Sequence, residues 1–166
     1  GSHLTEKLVS LNANVTALTY YNSRGSNGWL DNLYQTIPDN LIIKHGDIRD
    51  PHFIDSIVGD NTTVFHLSSL IAIPYSYTAY QSYIDTNITG LSNLLTSCKR
   101  YNIKKIVHTS TSEVYGSALY TPIDEKHPLQ GQSPYSASKI AADVIADSFF
   151  RSFDLPITTA RPFNTF

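Results

Sequence analysis

The chain has 166 residues, 41% of them apolar and 16% charged, with a formal net charge of −2, the size of one ordinary domain with enough apolar matter for a buried core. It has neither a Lys/Arg cluster nor a basic stripe, which argues against a nucleic-acid partner, and no apolar run nears the ~18 residues of a membrane span. The single cysteine, Cys98, cannot form an internal disulfide, in keeping with a cytoplasmic location, and its expected role is that of a small buried hydrophobe.

In chain order, LTEKLVSLN places Leu4, Leu8, Val9 and Leu11 at helical spacing, and VTALTYY (15–21) is β-rich. A polar, glycine-containing loop, NSRGSNGWLDN, follows. LIIKHGD (41–47) reads as a strand and PHFIDSIVG as a short helix with Pro51 near its start. TTVFHLS (62–68) is another strand, and residues 78–102 are expected to carry one long helix. KKIVHTST (104–111) is a strand, residues 133–153 a helix, and LPITTARPF (155–163) a strand. The alternation predicts parallel strands joined by right-handed crossovers. Several strands lack clean apolar/polar alternation, as expected when both sheet faces are covered. The fold class is therefore α/β, a doubly wound parallel sheet.

Such sheets bind ligands beyond the carboxyl ends of their strands. The positions to inspect are thus Tyr20 to Arg24, Asp47–Ile48, Leu67 to Ser69, Thr109 to Glu113 and Arg161 to Asn164. Tyr135 and Lys139 in YSASK stand four apart, on one helix face. A nearby ammonium stabilises a tyrosinate and brings the phenol pKa down from ~10, which makes Tyr135 a usable base or acid for an alcohol proton. One connection earlier, a strand ends in four hydroxyl residues, Thr109, Ser110, Thr111 and Ser112, and then presents one acid, Glu113.

With these residues on the page, the chain resembles the extended short-chain dehydrogenase/reductases, the NAD-dependent epimerase/dehydratase family. GDIRD, VFHLSS, DTNITGLSNLL, VHTSTSEVYG, SPYSASK and ARPFNTF match family segments in the expected order. The resemblance implies one partial NAD(P)-binding, Rossmann-like domain over residues 1–166. Gly1 resembles the third glycine of the family's G-x-x-G-x-x-G motif; the alternative is that Gly1, Ser2 and His3 are an expression remnant. On either reading the first strand and a C-terminal substrate region are expected to be missing. The isolated polypeptide is then expected to be poorly stable and inactive, an expectation that a cooperative, high-temperature melt with NADP binding would refute.

The resemblance also implies roles. Tyr135 takes the proton of a sugar 4-hydroxyl, Lys139 holds the cofactor ribose and tunes Tyr135, and Thr111 bonds the same sugar oxygen. Asp47 and Ile48 flank the adenine. Leu67, Ser68 and Ser69, with Thr109, line the cofactor channel, and Asn87 braces a strand end beside it. Pro162 and Phe163 lie near the nicotinamide and Asn164 near the substrate diphosphate. No metal site is expected. A Thr-Asp/Ser-Glu triplet marks the 4,6-dehydratases of the family, in which Glu113 removes the C5 proton and Ser112 helps protonate the departing 6-hydroxyl; simple 4-epimerases lack the Glu. The same triplet resembles UDP-glucuronate decarboxylases. YNSRGSNGWLD, LIAIPYSY (70–77), expected at the sugar, and HPLQGQSPYSASK resemble most the UDP-N-acetylglucosamine 4,6-dehydratases of the legionaminic-acid type. A non-catalytic dinucleotide-binding regulator is the reading from another class; a sensor has no need of a C5 base.

For the cofactor, an acid at the end of the second strand of the fold would favour NAD. Thr19 and Tyr20 stand there instead, with Arg24 beyond them, and an Arg suits a 2′-phosphate, so NADP is preferred over NAD. The partners implied are a nucleotide sugar and, in the full-length protein, a second copy of the chain packed through 78–102 and 133–153 as a homodimer.

Overall fold

A computed structural model describes residues 1–34 and 36–164. Its elements alternate as the sequence leads one to expect: α1 (Ser2–Ser10), β1 (Val15–Tyr20), α2 (Leu30–Leu33), β2 (Leu41–Gly46), α3 (Pro51–Ile57), β3 (Thr63–His66), α4 (Ile73–Ser76), α5 (Tyr80–Tyr83), a π-helical turn (Ile84–Thr89), α6 (Gly90–Cys98), β4 (Lys105–Thr109), a 3₁₀ turn (Ser112–Tyr115), α7 (Pro134–Phe153) and β5 (Ile157–Ala160). Every strand pairing is parallel. β1 pairs with β2 from Val15↔Leu41 to Tyr20↔Gly46. The other strands form a sheet in the order β3-β4-β5. Among the described residues, no strand pairs with the free edge of β1 or of β3, so the sheet stands in two pieces.

Local chemistry sets the helix starts. The Asp50 carboxylate accepts from the backbone N–H groups of His52 and Phe53, with Pro51 at the first helical position of α3. Ser133 and Ser136 form a reciprocal capping box before α7, and Pro134 occupies its first position. α7 ends at Asp154 in the left-handed region, φ 54°.

The long helix expected over 78–102 is shorter and is widened in its middle. A π turn, Ile84–Thr89, joins α5 to α6. A π turn inserts one extra residue per turn, often at functional sites, and here Asn87 is the residue it buries. The strands are also shorter than the β-rich runs that announce them. β4 ends at Thr109 and β5 at Ala160. α2, α4 and the 3₁₀ turn carry no periodic signal and are too short for one.

The core lies between α3, α6, α7 and β4. Ile54, Leu91, Leu95, Ile106, Ala142 and Ala146 are wholly or almost wholly buried in it. Cys98 is fully buried there, and burial pushes its thiol up to about 12, so it serves as a small hydrophobe. Gly90 opens α6 against this core: a Cβ there would stand 2.9 Å from Ile48 Cγ2.

Candidate active site

The carboxyl ends of β4 and β5 are tied together. Ser110 N–H donates to Ala160 O at 2.7 Å, and Ser112 N–H to Pro162 O at 3.1 Å. Thr111 caps the 3₁₀ turn, its hydroxyl accepting from the Glu113 N–H at 3.2 Å. The turn faces Val114 and Tyr115 inward, both buried, and leaves Glu113 exposed. Gly116 ends the turn at φ +63°, where a Cβ would meet Gln130 O at 2.4 Å, so glycine is required twice over. This turn is the local reason a hydroxyl-rich strand end is followed by a single exposed carboxylate.

The first turns of α7 face that strand end. Tyr135 is 6% exposed and lies edge-on to Tyr83, ring centroids 6.2 Å apart. Lys139 is 2% exposed; its ammonium donates to Thr109 O at 2.8 Å and to Ser69 Oγ at 3.5 Å. Burial lowers its pKa to about 8, with the Asp143 charge opposing. Asn87 reaches in from the π turn and is fully engaged. Its Oδ1 accepts from Leu70 N–H at 2.8 Å and Ser69 Oγ at 3.0 Å, and its Nδ2 donates to Leu70 O at 3.1 Å and Ser138 Oγ at 2.9 Å. Ser138 in turn donates to Tyr135 O at 2.7 Å. Thr109, Ser69, Asn87, Ser138, Tyr135 and Lys139 are thus one connected set.

The other expected site residues lie apart from that set. Asp47 forms a bidentate pair with Arg49, whose hydrogen bond holds its carboxyl below the ordinary range. The Ile48 side chain belongs to the hydrophobic core, and its backbone carbonyl accepts from Asn93 Nδ2 at 3.3 Å. Leu67 is exposed beyond β3, and Ser68 is half-buried there. Arg24 is exposed on a loop in which Asn22 Oδ1 accepts from the N–H groups of Arg24 and Ser26. Gly1 is exposed with nothing within 4 Å of a Cβ position. It caps α1 without a side-chain bond, so no side chain claims the N–H groups of that first turn. Pro162, Phe163 and Asn164 are exposed. Thr165 and Phe166, which close the ARPFNTF segment, lie outside the described residues. The 70–77 segment contains the short helix α4 (Ile73–Ser76), and its Ile71 and Tyr75 are exposed.

A cluster that the sequence reading passed over lies beneath. His66 on β3 and His108 on β4 are register partners, with Nδ1 atoms 3.0 Å apart. His108 Nε2 lies 3.3 Å from Asp143 Oδ1. Arg161 Nε donates to Asp143 Oδ2 at 2.8 Å, and its Nη1 to the Tyr115 hydroxyl at 3.2 Å. The available signal was a histidine just before each hydroxyl-rich strand end, and an Asp one helical turn after Lys139.

The family model described as GDP-mannose 4,6 dehydratase matches residues 1–166. The chain belongs to this family. It is thereby a member of the extended short-chain dehydrogenase/reductases. A dTDP-glucose 4,6-dehydratase of Actinoplanes is 30% identical over 100% of this chain and 53% of its own length. Among solved structures, a UDP-N-acetylglucosamine 4-epimerase from Methanobrevibacter ruminantium superposes with a TM-score of 0.90 at 32% identity, over 100% of this chain and 52% of that one. A dTDP-glucose 4,6-dehydratase from Streptomyces venezuelae with NAD bound gives 0.84 at 28% identity, over 97% and 51%. The chain therefore spans about half the length of the relatives it matches.

The residues present fit the nicotinamide dinucleotide of such relatives. An ammonium has three N–H donors. Lys139 directs its charge to a strand end lined by hydroxyls and, among the described residues, commits two donors to protein oxygens. Ser68, Ser69 and Thr109 complete a polar edge at the ends of β3 and β4.

Proposed function

We propose that this chain carries the cofactor-binding and catalytic half of a nucleotide-sugar 4,6-dehydratase acting on a UDP-N-acetylhexosamine. The observation that supports it most is the turn Ser112–Tyr115. It offers an exposed Glu113 two residues after Thr111, at the strand end to which Lys139 is bonded. Tyr135 takes the proton of the 4-hydroxyl, and the Lys139 ammonium stabilises the tyrosinate this needs. The Thr111 hydroxyl bonds the same oxygen. A bound nicotinamide dinucleotide supplies the hydride acceptor for C4 and the hydride donor for C6. With C4 a ketone, the C5 proton is acidic and Glu113 removes it; the 6-hydroxyl, protonated by Ser112 or by Glu113 itself, leaves as water.

Lys139, Ser68, Ser69 and Thr109 would hold the dinucleotide along its ribose and nicotinamide side. Asp47 and the Ile48 backbone serve the adenine, and Pro162 and Phe163 border the nicotinamide. NADP is favoured by Arg24 and by the lack of an acid at the end of β1, whereas the NAD bound to the Streptomyces venezuelae relative favours NAD. Mass spectrometry of the cofactor released from the full-length protein decides between them. Asn164 serves the diphosphate of the substrate. Exposed apolar residues on the two long helical stretches, Tyr80 and Ile84 on one and Val144 and Phe150 on the other, support a homodimer through them.

A 4-epimerase is the second reading, favoured by the 0.90 superposition on an epimerase acting on UDP-N-acetylglucosamine. The test is to incubate the full-length protein separately with UDP-N-acetylglucosamine, dTDP-glucose and UDP-glucuronate. A 4-keto-6-deoxy product from the first supports the proposal. The 4-epimer, CO₂ from the glucuronate, or turnover of dTDP-glucose alone each overturns it.

A further inference from the structure

Lys139 is deeply buried, and a buried ammonium tends to shed its proton. Its neighbours decide whether it stays charged. From β3, His66 faces it, and His66 is held neutral: burial first, then His108 and the Lys139 charge itself push its pKa down to about 3. From β4, Thr109 contributes a carbonyl and, from the loop after β3, Ser69 a hydroxyl. Both are neutral acceptors. From its own helix come Tyr135, one turn before, and Asp143, one turn after. Asp143 is 4% exposed and is the only carboxylate buried among the described residues. Burial pushes its carboxyl up, yet His108, Ser110 and Arg161 together hold it below the ordinary value, so it is an anion.

That anion has two cations to balance. Arg161 takes Oδ2 directly. On the Oδ1 side, His108 brings Nε2 to 3.3 Å, and its Nδ1 lies 3.0 Å from His66 Nδ1. His66, held neutral, brings no charge of its own. With Lys139 and Arg161 cationic and Asp143 anionic, the buried cluster carries a net charge of about one positive unit, which matches a single tyrosinate at Tyr135. Without the carboxylate it would carry about two, and the more deeply buried cation, Lys139, is the one able to lose its proton.

We infer that Asp143 is a positioning residue for proton transfer at Tyr135, acting as the buried counter-charge that keeps Lys139 an ammonium. The inference rests on the reading of Tyr135 and Lys139 given under the proposed function. Thr109 and Ser69 aim the ammonium, and Asp143 sets its charge. Asp143 itself touches neither substrate nor cofactor in this scheme.

The test uses the full-length protein with two readouts. One is the pH dependence of kcat/KM on the nucleotide sugar it turns over. The other is a carbon NMR titration of the Lys139 ε-methylene in lysine-labelled protein, assigned by its loss in Lys139→Arg. Asp143→Asn is expected to move the alkaline limb of the rate profile and the Lys139 midpoint down together by about one pH unit or more. Asp143→Glu, which keeps the charge, is expected to restore both. If Asp143→Asn lowers kcat but leaves the limb and the midpoint where the wild type has them, Asp143 is merely structural and the inference is overturned. Should Asp143→Asn fail to fold, Arg161→Gln tests the same cluster from the other side. Removing the competing cation is expected to raise the Lys139 midpoint, and an unchanged or lowered midpoint overturns the inference. A wild type that turns over no nucleotide sugar defeats the functional reading alone, since the NMR midpoints still report on Asp143.

Discussion

Tyr135 and Lys139 stand one helical turn apart and are both almost fully buried, so the proton that moves in the proposed chemistry has few competing acceptors. Tyr135→Phe removes the phenol oxygen and keeps the ring against Tyr83. The expected outcome is a loss of turnover of ~10²–10⁴-fold with the melting temperature nearly unchanged, measured on the full-length enzyme. A fall in melting temperature with full activity would mean that the hydroxyl serves packing and not chemistry. At this scale the sequence was legible where chemistry depends on spacing along one element, as for Tyr135 with Lys139 or Thr111 with Glu113. It was not legible where partners come from different strands. Nothing local to His66 or His108 announces that parallel register sets them side by side, or that Asp143 and Arg161 complete the chain between them.

The 3₁₀ turn carries Glu113, and the 20-residue helix α7 carries Tyr135 and Lys139. The 3₁₀ turn Ser112–Tyr115 depends on Gly116, whose positive φ and close approach to Gln130 O leave no room for a side chain. Backbone of that kind costs about 1–3 kcal/mol when a non-glycine residue is forced into it. Gly116→Ala is therefore expected to lower stability by about that amount in urea titrations and to cut turnover by displacing Glu113. A variant as stable as the wild type would show that the turn tolerates another conformation. The periodic run over 78–102 predicted a single α-helix and could not reveal the π turn inside it. A π turn is selected by what it buries, and here that is Asn87, tied to Leu70, Ser69 and Ser138. Those partners are 17, 18 and 51 residues away in the chain, beyond any local pattern. The expected brace at Asn87 is legible only through the family resemblance of DTNITGLSNLL.

Among the described residues, five parallel strands in two sheet pieces join a core shared by α3, α6, α7 and β4. Fold class was readable because strand–helix alternation constrains topology strongly; the strand boundaries moved inward at both ends of the last two β-rich runs, to Lys105–Thr109 and Ile157–Ala160. Burial of His66 gives the fold a pH dependence. His66 in the folded chain protonates at about 3, against an ordinary 6.5. Unfolded chains bind that proton as pH falls below 6.5 while the folded chain does not, so the fold loses stability from there towards pH 3. Asp143, lowered from 3.8, adds a further loss at more acid pH still. The urea midpoint is expected to fall between about pH 7 and about pH 5, and to fall less in His66→Phe. Identical pH dependence in the two proteins would remove His66 from this account.

The role of Glu113 is tested most directly by the fate of the hydrogen at C5. In full-length protein incubated with UDP-N-acetylglucosamine in heavy water, the wild type is expected to yield a 4-keto-6-deoxy sugar. Glu113→Gln is expected to stop at the 4-ketone, trapped by borodeuteride as a hexose that bears deuterium at C4, retains its 6-hydroxyl and keeps its original hydrogen at C5. Water loss at the wild-type rate in Glu113→Gln would contradict the account.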